Sequence, residues 1–254
     1  MTPFFCAIFL IFCKAKKRNE SLNPACVIRF PFVKGVALPF FFVKIRFMKK
    51  TTKPDIKAVI FDLGNVLVNY DVEKAAKRFS AVSGLSTREI WKSFFLSRFE
   101  QAYTRGELST REFHRIACKT LGVSLPLAIF RHYWNDIFWE NPGMDKLLAR
   151  IKRHYLLYLI SNTNALHYTY LKKHFKLLRH FDRKFPSHEV GARKPCLTIY
   201  RRVLRKIGLR PEETVFIDDM KSFVEGARKA GMHAIHFKSC SILLKTLRKL
   251  GIKF

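Results

Sequence analysis

The chain has 254 residues, with 48 Lys and Arg against 19 Asp and Glu, a formal charge of +29 and a hydrophobic fraction of 48%. That length supports one α/β domain with an insert, or two small domains, and a core that needs no disulfide or metal staple, and the apolar fraction excludes a disordered chain. Six cysteines stand apart at 6, 13, 26, 118, 196 and 240 with no Cys-x-x-Cys pair, which argues against a structural zinc site and for reduced thiols in a cytoplasmic protein.

Residues 1–47 differ from the rest: they hold ten of the 25 Phe, and neither helical nor alternating periodicity is sustained. The apolar run Pro3 to Cys13 is too short to span a bilayer, and its cationic cluster (Lys14-Ala15-Lys16-Lys17-Arg18) follows it, the reverse of a secretory signal. Residues 1–47 are therefore expected to be an extension upstream of a start at Met48, or a disordered segment. An interfacial anchor at Phe4–Phe12 is the alternative.

From Lys57 the chain alternates strands and helices. Ala58-Val59-Ile60-Phe61, Leu156 to Ile160, Thr214 to Ile217 and Ala234 to Phe237 are continuous apolar runs, as parallel strands buried on both faces require. Some 90 residues separate the first two, far more than one crossover needs. This insert reads as four helices: Val72–Ser83 ending at Gly84; one from the capping box Ser86-Thr87-Arg88-Glu89; one from Ser109-Thr110-Arg111-Glu112 to Gly122; and one around Pro126–Trp139. The expected fold is α/β, a doubly wound, mainly parallel, Rossmann-like sheet formed by residues 48–70 and 144–254, with a helical cap at 71–143 inserted after the first strand. Cations such as Arg201, Arg202, Arg205 and Lys206 alternate with apolar residues at helical spacing, so the basicity reads as solvated helix faces. No nucleic-acid motif accompanies it, and the expected partner is a small molecule.

Chemistry gathers where the strands end. The first is followed by Asp62, the second by Ser161-Asn162 and the third by Asp218-Asp219. In an open parallel sheet, ligands bind at these carboxyl ends. Lys194, before Pro195, is expected at the N-terminus of the helix leading to the third strand, with Pro195 in its first position. Each signal alone is an ordinary cap or turn residue. Adjacent carboxylates at the end of a buried strand, however, repel unless a cation joins them, and an oxygen-ligand ion such as Mg²⁺ suits that role.

Phe61-Asp62-Leu63-Gly64-Asn65-Val66-Leu67-Val68, Ser161-Asn162-Thr163-Asn164, Arg193-Lys194-Pro195 and Phe216-Ile217-Asp218-Asp219 resemble the four ordered motifs of the haloacid dehalogenase-like hydrolases. In detail they are similar to the bacterial α-D-glucose-1-phosphate phosphatases of that superfamily. The resemblance implies a phosphatase acting on a small phosphorylated metabolite through an aspartyl-phosphate on Asp62. It further implies phosphate binding by Ser161, the Asn162 amide and Lys194, and Mg²⁺ held by Asp62, the Gly64 carbonyl, Asp218 and Asp219.

Two positions depart from the family pattern. Gly64 stands where most such phosphatases carry a second Asp that protonates the leaving group, and a sugar 1-phosphate, whose anomeric oxygen is a better leaving group, is the substrate that tolerates its loss. Phe223 stands where Asn or Asp commonly supports the metal. Insert residues such as Glu100, Tyr103, Arg105 and Glu107 could reach a substrate, but a solvated helix surface explains them at least as well. The alternatives are a catalytically weak binding or regulatory protein and a metal-free dehalogenase; the acidic pair argues against the latter.

Overall fold

In the computed structural model, residues 55–254 are described; the reading of residues 1–47 lies outside them. The four apolar runs are strands, and three further strands accompany them. In chain order the elements are β1 (Ala58–Phe61), β2 (Val68–Tyr70), α1 (Val72–Ser83), α2 (Thr87–Ile90, continued by a π turn at Trp91–Phe95), α3 (Arg98–Thr104), α4 (Thr110–Leu121) and α5 (Leu127–Asn135). Then come β3 (Phe138–Glu140), α6 (Met144–Ile151), β4 (Leu156–Ser161), α7 (Ala165–His174), β5 (Arg183–Pro186), α8 (Ser187–Val190), α9 (Leu197–Ile207), β6 (Thr214–Asp218), α10 (Lys221–Lys229), β7 (His233–His236) and α11 (Cys240–Lys249).

The main sheet has the order β5-β4-β1-β6-β7, and every pairing is parallel. From β1 at the centre the chain moves out through β4 and β5, then returns to the other side through β6 and β7. The order of connection therefore reverses around β1, where an open sheet leaves a crevice. Alternate residues serve opposite faces. Val59, Phe61, Leu157, Leu159, Val215 and Ile217 pack against α6 and α11 through Leu148, Ile151, Leu243 and Leu247. Ala58, Ile60, Tyr158, Ile160 and Phe216 pack against Ile199, Tyr200, Val203 and Leu204 of α9 and Ala227 of α10. Burial on both faces explains why these runs are apolar throughout.

The insert has a separate, aromatic core of Phe79, Phe94, Tyr103, Phe113, Phe130 and Trp134. Both expected capping boxes form, at Ser86–Glu89 and Ser109–Glu112. Two readings need correction. Arg98–Thr104 is an additional helix, capped by Ser97. The helix expected to run to Trp139 ends at Asn135, because Phe138–Glu140 pairs antiparallel with Val68–Tyr70. Among the described residues, no helix is long and apolar enough to cross a membrane.

His167 of α7 stacks on Trp134 at 4.7 Å between ring centroids. Its Nε2 lies 3.0 Å from the Trp134 carbonyl and so carries the hydrogen, leaving Nδ1 to accept from Asn164 at 3.2 Å. Burial lowers its pKa from 6.5 to about 4. A group whose folded pKa is depressed in this way favours the fold as the neutral base. That contribution is complete above pH 6.5 and is lost as pH falls toward 4, because the unfolded chain then binds more protons. Between pH 7 and pH 5 the loss is about 1–2 kcal/mol, allowing for partial solvent access. Urea unfolding of wild type and His167→Gln should show that the variant has lost this part of the pH slope; parallel slopes would refute it.

Candidate active site

Register brings the strand-end residues together. Phe61 stands beside Leu159 and Ile217, so Asp62 emerges next to Asp218, and the Asp62 amide donates to the Ile217 carbonyl at 2.8 Å. Ser161 ends β4 on the other side of β1. The Lys194 ammonium reaches this point from the loop before α9. Its Nζ lies 2.8 Å from Asp62 Oδ1 and donates to Asp218 Oδ2 at 2.5 Å, with the side chain fully buried.

The loop that carries Lys194 is clamped. Asn162 accepts from the Lys194 amide at 2.8 Å through Oδ1 and donates to the Lys194 carbonyl at 2.9 Å through Nδ2. The Asn162 side chain thus positions the lysine, a role that reading its backbone amide as a phosphate ligand overlooked. Gly226 lets α10 approach: a Cβ there would stand 2.8 Å from the Pro195 carbonyl oxygen. Pro195 is not the first residue of α9, which begins at Leu197, so Lys194 sits in the preceding loop and not at the helix terminus. The Phe223 ring lies 4.9 Å from the Lys194 ammonium, with Phe216 at 5.4 Å. Two aromatic faces attract the cation and exclude water from it.

Asp218 Oδ1 accepts from the Met220 amide at 2.8 Å. Asp219 Oδ2 accepts from Asn65 Nδ2 at 3.1 Å, and His236 Nε2 lies 2.8 Å from the Asp219 carbonyl. Asn65, in the left-handed region at φ 54°, was not singled out from the sequence, although Gly-Asn after a strand is a turn signal. Burial raises the Asp218 carboxyl far above its ordinary value despite Lys194, and Asp62 adds to the rise. Burial also raises Asp219. Burial opposes the Lys194 charge, but Asp62 and Asp218 outweigh it and hold the ammonium above its ordinary pKa.

Among the described residues, Asp62, Asp218 and Asp219 can place carboxylate oxygens within 4.8 Å of one another. One buried lysine does not balance three carboxylates. Asp62 Oδ1 is buried, and Lys194 Nζ stands near it in charge contact without hydrogen-bond alignment. A hard divalent cation with oxygen ligands fits this donor set.

The insert reaches the same region. Tyr103 is 1% exposed in the aromatic core, with its hydroxyl 2.9 Å from Thr110 Oγ1, so it is not free to meet a substrate. Arg105 pairs with Glu107 near solvent. Glu100 is half-buried; burial raises its pKa, opposed by Arg193 and Arg105. The charge of Arg193, next to Lys194, acts on Glu100. Ser187 joins insert to sheet: its Oγ accepts from the Thr163 amide at 3.0 Å and stands 2.6 Å from the Thr104 carbonyl and 2.9 Å from the Thr163 carbonyl. A separate cavity of about 690 Å³ lies between α5 and α7, lined by Arg131, His132, Asn135 and Lys173 among others and by none of the acidic cluster.

A doubly wound α/β protein with an aspartate, a buried lysine and paired carboxylates at the sheet's switch point defines a class of hydrolase. The chain belongs to the haloacid dehalogenase-like hydrolases, whose family profile matches residues 56–231. It is 26% identical over 184 residues to the D-ribitol-5-phosphate phosphatase of Bacteroides thetaiotaomicron, covering 69% of this chain and 89% of that one. It is 29% identical over 201 residues to the glyceraldehyde 3-phosphate phosphatase of Methanothermobacter thermautotrophicus, covering 71% and 84%. A haloacid dehalogenase-like family enzyme of B. thetaiotaomicron, crystallised with magnesium and inorganic phosphate, superimposes with a TM-score of 0.67 at 26% identity, over 73% of this chain and 96% of that one.

Proposed function

We propose that the chain is a Mg²⁺-dependent phosphatase of small phosphorylated metabolites, with Asp62 as nucleophile. The cluster of Asp62, Lys194, Asp218 and Asp219 carries this reading: a carboxylate at the tip of the central strand, a buried cation beside it, and a donor set that fits a divalent ion. Asp62 attacks phosphorus and the bond to the leaving oxygen breaks, giving an aspartyl-phosphate that water then opens. Lys194 faces the phosphoryl oxygens with its charge pre-oriented by Asn162, Phe216 and Phe223. Ser161 and the Asn162 amide bind the same oxygens from the end of β4. Asp62, the Gly64 carbonyl, Asp218 and Asp219 would hold magnesium. Bound there, the ion offsets repulsion between the carboxylate and the phosphate dianion and stabilises charge on the transferring group.

In this reading residues 71–143 serve as the cap, and the described residues 55–70 with 144–254 as the core. Gly64 carries no acid to protonate the leaving group, which favours sugar 1-phosphates over primary sugar phosphates.

The test is phosphate release from a panel of sugar, polyol and nucleotide monophosphates, with magnesium or with EDTA, by wild type and Asp62→Asn. Release should require magnesium, fall by at least about 10³-fold in Asp62→Asn, and be faster from glucose 1-phosphate than from glucose 6-phosphate. No release by folded wild type would sink the phosphatase reading, and equal rates on the two glucose phosphates would sink the finer one.

A further inference from the structure

Gly64 leaves room that another side chain takes. A Cβ built on Gly64 would lie 2.9 Å from Cε1 of Tyr70, 3.5 Å from Cδ1 and 3.9 Å from Cζ. The phenol ring therefore occupies the volume that any side chain at position 64 would need. β2 pairing with β3 holds the ring there, with Tyr70 opposite Phe138 and the two rings 6.1 Å apart. Burial raises the phenol's pKa, the charges of Asp219 and then Asp62 add to the rise, and the Asn65 carboxamide, which itself donates to Asp219, opposes it with Lys194. At 40% exposure, Tyr70 borders the mouth of the site and not its floor.

In-line displacement determines what meets that mouth. Asp62 approaches phosphorus from the end of the sheet, so the bond that breaks points the opposite way, outward. We propose that the Tyr70 hydroxyl is a catalytic residue of this chain: it donates a hydrogen bond to the leaving oxygen, in the space that Gly64 leaves open. The inference rests on the phosphatase reading. As the Asp62 oxygen–phosphorus bond forms, the phosphorus–oxygen bond to the alcohol breaks and its electron pair stays on the leaving oxygen. That oxygen takes its proton from solvent water, and the phenol keeps its own. A donor that does not give up its proton stabilises an alkoxide less than a carboxylic acid would. It matters most for poor leaving groups, on which more charge accumulates, and least for a nitrophenolate, which disperses its charge.

The experiment compares wild type, Tyr70→Phe and Gly64→Ala on phosphate esters spanning a range of leaving-group basicity, from glucose 6-phosphate through glucose 1-phosphate to p-nitrophenyl phosphate. Tyr70→Phe keeps the ring and removes only the donor. Its kcat should fall about 10- to 100-fold on glucose 6-phosphate, the loss of one hydrogen bond to a developing charge, and less than about threefold on p-nitrophenyl phosphate. KM should hardly change. Gly64→Ala, whose methyl group must displace the ring, should likewise lower kcat on glucose 6-phosphate. A loss of equal size on every ester, or a change in KM alone, would overturn the assignment and leave the phosphatase reading standing. No release from any ester by wild type would overturn both.

Discussion

Replacing Lys194 by methionine is expected to abolish turnover and to destabilise the fold by about 3–5 kcal/mol at pH 8. Methionine keeps most of the side-chain volume between Phe216 and Phe223, so the loss is one of charge. The lysine ammonium touches Asp62 and Asp218 and is fully buried. Without it the carboxylates face each other with no organic counter-charge. The pH dependence has a definite sign. Asp218 already sits above its ordinary pKa through burial, and losing Lys194 raises it further. A carboxyl whose folded pKa is raised loses stability as pH rises through that value, since the unfolded chain gives up the proton first. The deficit of Lys194→Met relative to wild type should therefore be larger at pH 8 than at pH 5. Millimolar magnesium at pH 8 should recover part of it by binding the folded state. Urea denaturation at both pH values, with magnesium or EDTA, checks this. A deficit independent of pH and metal would mean that packing, not charge, ties Lys194 to the fold.

The parts legible in the sequence are those where one residue type answers one local demand. The runs at Ala58, Leu156, Thr214 and Ala234 announce buried strands because both faces of each strand need apolar side chains. Asp62, Ser161 and Asp218-Asp219 stand at strand ends, so strand register alone gathers them. What stayed hidden depends on partners distant in the chain. β5 is an edge strand carrying Arg183 and Lys184, without the apolar run of its neighbours. β2 and β3 have three residues each, too few for a period, and find each other across the whole insert. Tyr70 owes its place over Gly64 to that pairing. The Asn162 side chain likewise gains its clamp only once β4 and the Lys194 loop are adjacent. Phe223 looks like a lost metal-supporting group in sequence, whereas in the fold its ring addresses the lysine.

Gly106→Ala should weaken the junction between insert and sheet more than any other single methyl group at a glycine in the left-handed region. At φ 77° an alanine is strained, and its Cβ would stand 2.1 Å from the His188 carbonyl oxygen, a backbone atom of α8. Neither side can yield alone. Gly106 follows the helix whose last residue, Thr104, meets Ser187, while α8 begins at Ser187 and leads into the Lys194 loop. Gly122→Ala is the control, because it has φ 66° and no neighbour within 4 Å, so it carries the backbone strain without the collision. Strain alone costs about 1–2 kcal/mol. Adding the collision should bring Gly106→Ala to about 3–5 kcal/mol by urea unfolding. It should also lower kcat on small phosphate esters, since displacing α8 pulls on Ser187, Thr163 and the lysine loop together. Equal destabilisation by the two substitutions would mean that the insert yields freely at this contact, and that the tight seam at His188 does not hold the two sides of the site together.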